Sequence, residues 1–540
     1  MAKIALLLTA AVLLSSSARA EDWERLADAE SAANRPAQAE AYVARALESR
    51  PGDAALLKKH AELASWAGDN EGAERSYRAL LRIDPKDDDS RFQLANVVSW
   101  QGRTLEAIVL LKTYLDHRPK DAKALLLLGQ FYQWTGDMDA SRAAYERYKN
   151  VAGADREYSV ALVSRLAASG DELAAASAAS AALKKFPGDC DLYTGKAEAE
   201  SALRLWGDMS DSLVHVSTAC ADKSAVAGLS RRLDAPLRDS VHAAFSYAIE
   251  TTSVEIGAAV IDVRHRLDSV TYVSAGAEGG WLRANPGSGL ETSAGGRQID
   301  LYGGWLGAER MLGGGFWLNG RLGVRTSSQG HDAALAKAGA EYRPVDGLWL
   351  NDVFSTDLYA VSPRAVSQGI RMTDDTLHAS WRFSQRGTLY ADGGYGSVSD
   401  GNFLWTGTVA PRWTIIGGAN VGLDAGVSAK ITSFNDPVAG TTGGYYAPNR
   451  YRQFLVNVLA SYALDPDDAV NASLNMGAVK DENQPRYGLG YDYSVEGVFG
   501  LYRDWLINPR ADFIDDLGAG AGAGANYHRQ QYTLNLTRRF

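Results

Sequence analysis

Proline, aspartate, tryptophan and glycine recur at one fixed step through the first half of the chain. Pro51, Pro85 and Pro119 lie 34 residues apart, and so do Asp53, Asp87 and Asp121. Gly68, Gly102 and Gly136 keep the same step, each two residues after a tryptophan: Trp66, Trp100 and Trp134. Gly170 extends the glycine series by one period, and Pro187 the proline series by two. Such a period requires stacked helical units rather than one globular core, because each unit buries its apolar face only against its neighbours. Proline cannot continue a helix, so each proline closes one unit and opens the next. Each glycine ends a helix in a tight turn, with Asp69, Arg103 and Asp137 following. Ala73 and Ala107 are small where paired helices cross, and Tyr77 and Tyr145 are the large residues packed beside them.

The period is that of the tetratricopeptide repeat, a helix-turn-helix unit. About six units fit between residues 21 and 220, the first and last degenerate as capping units are. Such arrays bind peptides or partner proteins on a concave face lined by the first helix of each unit. Trp66, Trp100 and Trp134 either form an aromatic strip along that face or pack between adjacent repeats as core. The two cysteines, Cys190 and Cys220, fall where the last unit's first helix begins and its second ends. Antiparallel helices of equal length bring those ends together. An oxidising compartment then favours a disulfide over two buried thiols.

Near residue 240 the text changes. Ala-, Leu- and Glu-rich sequence gives way to short alternating runs of Gly, Tyr, Trp, Val and Thr, for example Gly315 to Ser327 and Tyr451 to Leu464. Turn clusters such as Arg343-Pro344-Val345-Asp346-Gly347 and Asp465-Pro466-Asp467-Asp468 separate them. Each run is about the 9–11 residues that a tilted strand needs to cross a bilayer. Roughly sixteen runs fit a mid-sized barrel of even strand number. A mean hydropathy of −0.22 argues only against membrane helices, since a barrel strand alternates lipid-facing and lumen-facing residues. The Gly-Ala stretch from Ala519 to Ala525 fits either a loop or a thin-walled strand.

Lys3, the apolar run Ile4 to Leu14 and Ala18-Arg19-Ala20 have the order of a cleavable signal peptide. That run is well short of the ~20 residues of a spanning helix. The expected organisation is therefore a signal peptide (1–20), an all-α repeat domain (21–220), a linker (221–239) and an antiparallel transmembrane β-barrel of about 16 strands (240–540). The expected location is the cell outer membrane, with the N-terminal domain in the periplasm.

A hydrophobic content of 46% excludes a disordered chain, and a net charge of −10 disfavours nucleic acid as a partner. The eight histidines show no metal-ligand spacing, and no phosphate-binding glycine loop joins a strand to a helix. No catalytic residue, metal or cofactor is expected. Acid pairs such as Asp374-Asp375 and Asp515-Asp516 read as solvated turns. The barrel half is mildly acidic, which disfavours strongly anionic polymers.

In the last residues, Tyr532, Leu534, Leu536 and Phe540 share one face and Thr533, Asn535, Thr537 and Arg539 the other. This resembles the C-terminal strand of bacterial outer-membrane proteins, whose terminal aromatic is read by the barrel-assembly machinery; here that residue is Phe540. Arg538 interrupts the apolar face and can snorkel to the headgroups.

The order of signal peptide, repeats and barrel resembles the outer-membrane components of exopolysaccharide secretion systems, that of bacterial cellulose synthase and the poly-N-acetylglucosamine export porin. The segment Gly443-Gly444-Tyr445-Tyr446-Ala447-Pro448-Asn449-Arg450-Tyr451 is similar to a Gly-Gly-Tyr-Phe-Ser-Pro-Gln segment in the barrel of the cellulose component. Ser-Trp-Gln-Gly (99–102) is similar to text in that component's repeats. The array here is shorter than the family's. The resemblance implies passive export of a secreted polysaccharide through the barrel, with the repeats as scaffold for periplasmic or inner-membrane synthase components and outer-membrane lipid around the barrel. Tyr445, Tyr446, Arg450 and Tyr451 then line the polymer path, the tyrosines stacking on sugar rings. The alternative is a hairpin loop shaped by its glycines and proline, its tyrosines in the interfacial girdle. The competing functions are an outer-membrane scaffold or surface receptor, and a barrel enzyme. Residues 21–220 expressed alone are expected to give a soluble, helical circular dichroism spectrum; a strand-rich or unfolded spectrum would contradict that boundary.

Overall fold

The computed structural model describes residues 22–220, 223–250, 254–313, 315–418, 420–482, 484–516 and 527–540. The expected signal peptide and the Gly-Ala stretch lie outside them. Two compact units divide at Ala168/Ser169.

The first unit is helical: α1 (22–32), α2 (Pro36–Ser49), α3 (Ala54–Ala67), α4 (Asn70–Ile83), α5 (Asp88–Trp100), α6 (Thr104–His117), α7 (Ala122–Trp134), α8 (Met138–Ala152) and α9 (Arg156–Ala168). Consecutive helices from α2 to α9 pack on one another in series. The periodic aspartates are helix caps. Asp53, Asp87 and Asp121 accept backbone N–H bonds at the starts of α3, α5 and α7, each about 3.0 Å long. A cap of this kind is worth ~1 kcal/mol because it satisfies an amide left without an intrahelical partner. Asp121 also accepts the Tyr114 hydroxyl at 2.6 Å, tying its helix to the one before it. Gly68, Gly102 and Gly136 take φ of 83°, 79° and 77°, the left-handed turn that a side chain resists. Ala73, Ala107, Tyr77 and Tyr145 are all buried in one continuous core. Tyr145 lies flat against Gly129, leaving no room for a methyl group there.

The second unit begins with α10 (Glu172–Leu183), α11 (Cys190–Ala202), α12 (Trp206–Ala219), α13 (Lys223–Asp234) and a 3-10 turn (Ala235–Leu237). Cys190 and Cys220 are bonded, joining the start of α11 to the end of α12 with Cα atoms 5.0 Å apart. Between those helices Glu200 is buried, and burial raises its pKa; Ser212 and Lys196 donate to it at 2.7 and 2.9 Å. The segment expected as a linker is instead mostly helix, in α13.

Sixteen strands follow: β1 (Ser240–Glu250), β2 (Val254–Arg266), β3 (Thr271–Ala284), β4 (Gln298–Gly313), β5 (Phe316–Ser327), β6 (Asp332–Val345), β7 (Leu348–Leu358), β8 (Arg371–Arg382), β9 (Gly387–Val398), β10 (Phe403–Gly417), β11 (Val421–Phe434), β12 (Tyr451–Ala463), β13 (Asp468–Lys480), β14 (Gly488–Phe499), β15 (Trp505–Asp516) and β16 (Tyr527–Arg539). Each pairs antiparallel with its sequence neighbours, and β1 pairs with β16 to close the barrel. Short turns such as 346–347 and 464–467 lie at the end that holds both barrel termini. Long loops at 285–297, 359–370 and 435–450 lie at the other. Two short helices sit in those loops, α14 (Pro363–Ser367) and α15 (Pro437–Gly443).

Alternation sorts the wall into two faces. Leu306 and Leu322, paired in register, are each 72% exposed on the outside, and Ile261, Val324, Val427, Val456 and Leu474 share that face. Such a continuous apolar belt is the face a bilayer takes. Aromatics gather at both ends: Trp381, Phe383 and Trp413 edge to face at the turn end, and Phe454 with Tyr487 at the loop end. Arg538 is exposed, its guanidinium 5.3 Å from the Trp505 ring and 5.2 Å from that of Phe540. Asp374-Asp375 and Asp515-Asp516 are not turn residues: they belong to β8 and β15, where strand pairing took them in.

The barrel also finishes the helices that precede it. The Asp346 carboxylate, in the β6–β7 turn, accepts from the backbone N–H of Leu173 and Ala174 at 2.7 and 3.0 Å, capping α10. Arg343 donates to the Ala202 carbonyl at 2.7 Å, at the end of α11. An anion at a helix N-terminus and a cation at a C-terminus are the signs the helix dipole favours. A chain ending at residue 220 leaves both contacts unmade.

In the repeat array, burial pushes the Asp87 carboxyl up, but donation from the Ser90 hydroxyl and backbone N–H outweighs it and the pKa is lowered. A lowered carboxyl pKa adds stability that is present above the unfolded value of ~4 and is lost as pH falls through the folded value. Asp87→Ala is therefore expected to destabilise the helical unit by about 1–2 kcal/mol at neutral pH. The difference from the natural chain should shrink in acid. Thermal unfolding followed by far-ultraviolet circular dichroism across that range measures both effects.

Candidate functional site: the barrel lumen and its two mouths

The inner wall is polar because every second residue of each strand faces it. Its groups pair with one another between strands. His242 meets Asp262 at 3.0 Å, His378 meets Asp392 at 2.7 Å, and Asn457 donates to Asn475 at 2.6 Å. Arg325 on β5 reaches Glu278 on β3 through Nε at 2.6 Å and Asp357 on β7 at 2.7 Å. Contacts that skip a strand form only on the concave side. Burying charges is tolerable here because each has an opposite partner and a hydrogen bond.

At the loop end, three separate parts of the rim meet. Val366 of α14 is fully buried against Val254, Leu282 and Ile299, inward-facing residues of β2, β3 and β4. Arg364 N–H donates to the Leu290 carbonyl at 3.0 Å, joining loops 359–370 and 285–297. Ser362 donates through its hydroxyl to the Gly444 carbonyl at 2.5 Å, and Gln368 to that of Thr442 at 3.1 Å, joining loops 359–370 and 435–450. These contacts make an interlocked lid.

The four residues expected on the polymer path have different places in it. Tyr445 is 6% exposed, its ring against Tyr359 at 5.1 Å and Phe434 at 6.0 Å, with its hydroxyl donating to Asp400 at 2.7 Å. It has no free ring face and acts as a pillar of the lid. Tyr446 keeps part of its ring exposed and donates to Asp481 at 2.8 Å. Burial and the accepting carboxylates raise the pKa of both phenols, and burial pushes Tyr359 to about 12, so all three stay protonated at neutral pH. Arg450 is exposed, its backbone N–H donating to Glu482 at 3.2 Å. Tyr451 opens β12 on the lumen-facing register.

At the turn end is a vestibule of about 720 Å³ between the wall and the residues just before β1. Trp305 and Trp317, both under a tenth exposed, stand in its wall. Trp305 lies across Gly276, and only a glycine there admits the ring. Trp317 meets Trp206 edge-on at 6.5 Å, and an apolar seat of Met209, Leu233, Tyr272 and Met311 holds α12 and α13 there. No sequence pattern singled out these residues, because they alternate like any strand text.

In the repeat unit, Trp66, Trp100 and Trp134 close α3, α5 and α7 and are 73%, 58% and 61% exposed. They are surface residues, not packing between repeats. Among the described residues, no group of three or more His, Cys, Asp or Glu converges as a metal site.

A family model for the tetratricopeptide repeat matches residues 100–166. The helical region is a tetratricopeptide array. No curated protein sequence matches the chain. The chain is similar to a solved bacterial polysaccharide outer membrane secretin at 14% identity and a TM-score of 0.47, covering 56% of this chain and 98% of that one. It is also similar to a tetratricopeptide repeat protein from Parabacteroides merdae, at 16% identity and a TM-score of 0.38 over 41% of this chain and 87% of that one. A third is the type IV pilus biogenesis factor PilW, at 17% identity and a TM-score of 0.32 over 37% and 92%.

If the interlocked loops are the main barrier, replacing residues 361–368 with a Gly-Ser linker of equal length should raise the single-channel conductance of the reconstituted protein. An unchanged conductance would place the barrier elsewhere in the barrel.

Proposed function

We propose that the protein is an outer-membrane export porin for a polysaccharide, with its tetratricopeptide array in the periplasm. The observation that carries this reading is the closed barrel whose outside is apolar and whose inside is lined by hydrogen-bonding groups. Sixteen strands enclose a lumen on the scale at which porins hold an aqueous channel. A moving glycan needs many weak polar and aromatic contacts rather than one tight site, and the wall offers amides, hydroxyls and paired charges along its length. Tyr446, Arg450 and Tyr451 take the loop end of this path, with Tyr445 supporting the lid that must open. The resemblance at residues 443–451 supports a polymer of the cellulose or poly-N-acetylglucosamine kind, a biofilm component.

The exposed tryptophans at the ends of α3, α5 and α7 give the array an aromatic strip for a synthase component or for the emerging glycan. The apolar outward face of β16, ending in Phe540, suits recognition by the barrel-assembly machinery. A second reading, a non-transporting scaffold or surface receptor, draws its support from the interlocked loops at the loop end.

The readings part on one measurement. Deleting the gene is expected to abolish secreted exopolysaccharide, and Tyr446→Ala with Arg450→Ala to reduce it while heat-modifiable migration on a gel stays normal. Unchanged secretion after deletion rejects export and leaves the scaffold reading.

A further inference from the structure

The vestibule at the turn end is lined by more cations than acids, although the barrel half as a whole is mildly acidic. Its acids are already engaged: Glu341 pairs with Arg204 at 2.9 Å, Glu309 with Arg264 at 3.3 Å and Asp262 with His242 at 3.0 Å. Arg238, also in the wall, is answered by Asp504 at 2.6 Å. Arg539 donates to the Arg503 carbonyl at 2.8 Å, which leaves Arg321 and Lys337. They sit directly opposite each other in the β5–β6 register, both facing the cavity, and neither makes an ion pair with a carboxylate among the described residues, although Asp357 feels the Arg321 charge. Like charges directly opposite across a strand pair destabilise it. Arg325, by contrast, is matched between Glu278 and Asp357.

The same place has unused donors and apolar faces. Arg321 stacks on Trp305 at 5.1 Å, which holds the guanidinium plane while its buried Nε finds no acceptor among the described residues. The indole N–H of Trp317, buried in the same wall, also lacks one. A buried donor without a partner costs ~1–3 kcal/mol, which a ligand oxygen would recover. A planar guanidinium fits a carboxylate with two parallel hydrogen bonds, and an ammonium adds point charge. Tryptophan beside them suits the C–H face of a sugar ring.

We propose that this vestibule receives an acidic glycan, binding a uronate-type carboxylate between Arg321 and Lys337 with the sugar ring against Trp305. The proposal rests on the export reading and names its substrate class. It departs from the neutral polymers that the resemblance implies, and from the expectation that a mildly acidic barrel disfavours anionic ones. Net charge averages over the whole surface, whereas a passing polymer meets the local field. An amine-bearing glycan would be repelled at this point.

The test is binding of defined hexasaccharides to the full-length protein in detergent, followed by calorimetry. Hexagalacturonate is expected to bind about tenfold or more tighter than cellohexaose at low salt, and high salt should erase that preference. Arg321→Gln with Lys337→Gln should remove the preference while leaving cellohexaose binding and heat-modifiable migration unchanged. Removing a repelling pair should not lower the unfolding temperature, and a thermal melt of the double variant separates lost folding from lost recognition. Arg510→Gln, at a lumen cation already paired with Asp512 at 2.7 Å, is the control and should keep the preference. Equal binding of both sugars by the natural protein, or a preference that survives the double substitution, overturns the acidic-glycan assignment alone. Binding of neither sugar counts against export through this mouth as well.

Discussion

Pairing of β1 with β16 is the constraint on which the rest of this structure depends, because an open sheet cannot exist in hydrocarbon. Each unpaired backbone group at a sheet edge would cost several kcal/mol there. Closure runs from Ser240 opposite Arg539 to Glu250 opposite Arg529, so the chain's last strand finishes the ring that its first barrel strand began. Phe540 N–H donates to the Asp239 carbonyl at 2.9 Å, and Arg238 pairs with Asp504, which fixes both termini at the turn end. From that follows the asymmetry of the two mouths: tight turns beside the termini, long loops opposite. Those long loops form the lid, and the turn end receives α10–α13.

The attachment of those helices uses the same economy of polar groups. Asp346 in a barrel turn satisfies the amides that open α10, and Arg343 the carbonyl that ends α11. A helix end left without such partners would carry several unsatisfied groups. Trp206 against Trp317 adds the apolar contact that sets α12 on the rim. These contacts explain why the compact division falls at Ala168/Ser169, inside the stretch that the 34-residue period marks as continuous repeats. Periodicity reports how each unit is built; it does not report which neighbour its last members pack against.

The fate of individual residues shows where local pattern stops. The prolines and glycines of the repeats are where a helix must break, whatever surrounds them, so their turns were legible. The aspartates kept the same step, and their capping role is a matter of position relative to a helix start. The three tryptophans were ambiguous because a helix exposes or buries a face according to what packs on it. Tyr445 and Tyr446 are adjacent in sequence, yet one is a buried pillar and the other keeps an accessible ring. Aromatic type and flanking glycines are common to both; only the position of Tyr359, Phe434 and Asp400 distinguishes them.

By itself the sequence determined the units of this protein: a helical array of fixed period, then strands of membrane-crossing length with alternating faces, ending in an aromatic residue. These follow from backbone geometry and side-chain periodicity, which act over a few residues and can be read along the chain. Tertiary structure alone decided which inward residues became neighbours. Arg321 and Lys337 stand 16 positions apart in sequence and face each other because of one hairpin register. Glu278, Arg325 and Asp357 neutralise each other because curvature brings β3, β5 and β7 together on the concave side. Electrostatic interaction depends on distance in space, and closing the sheet is what converts distances along the chain into distances across the lumen.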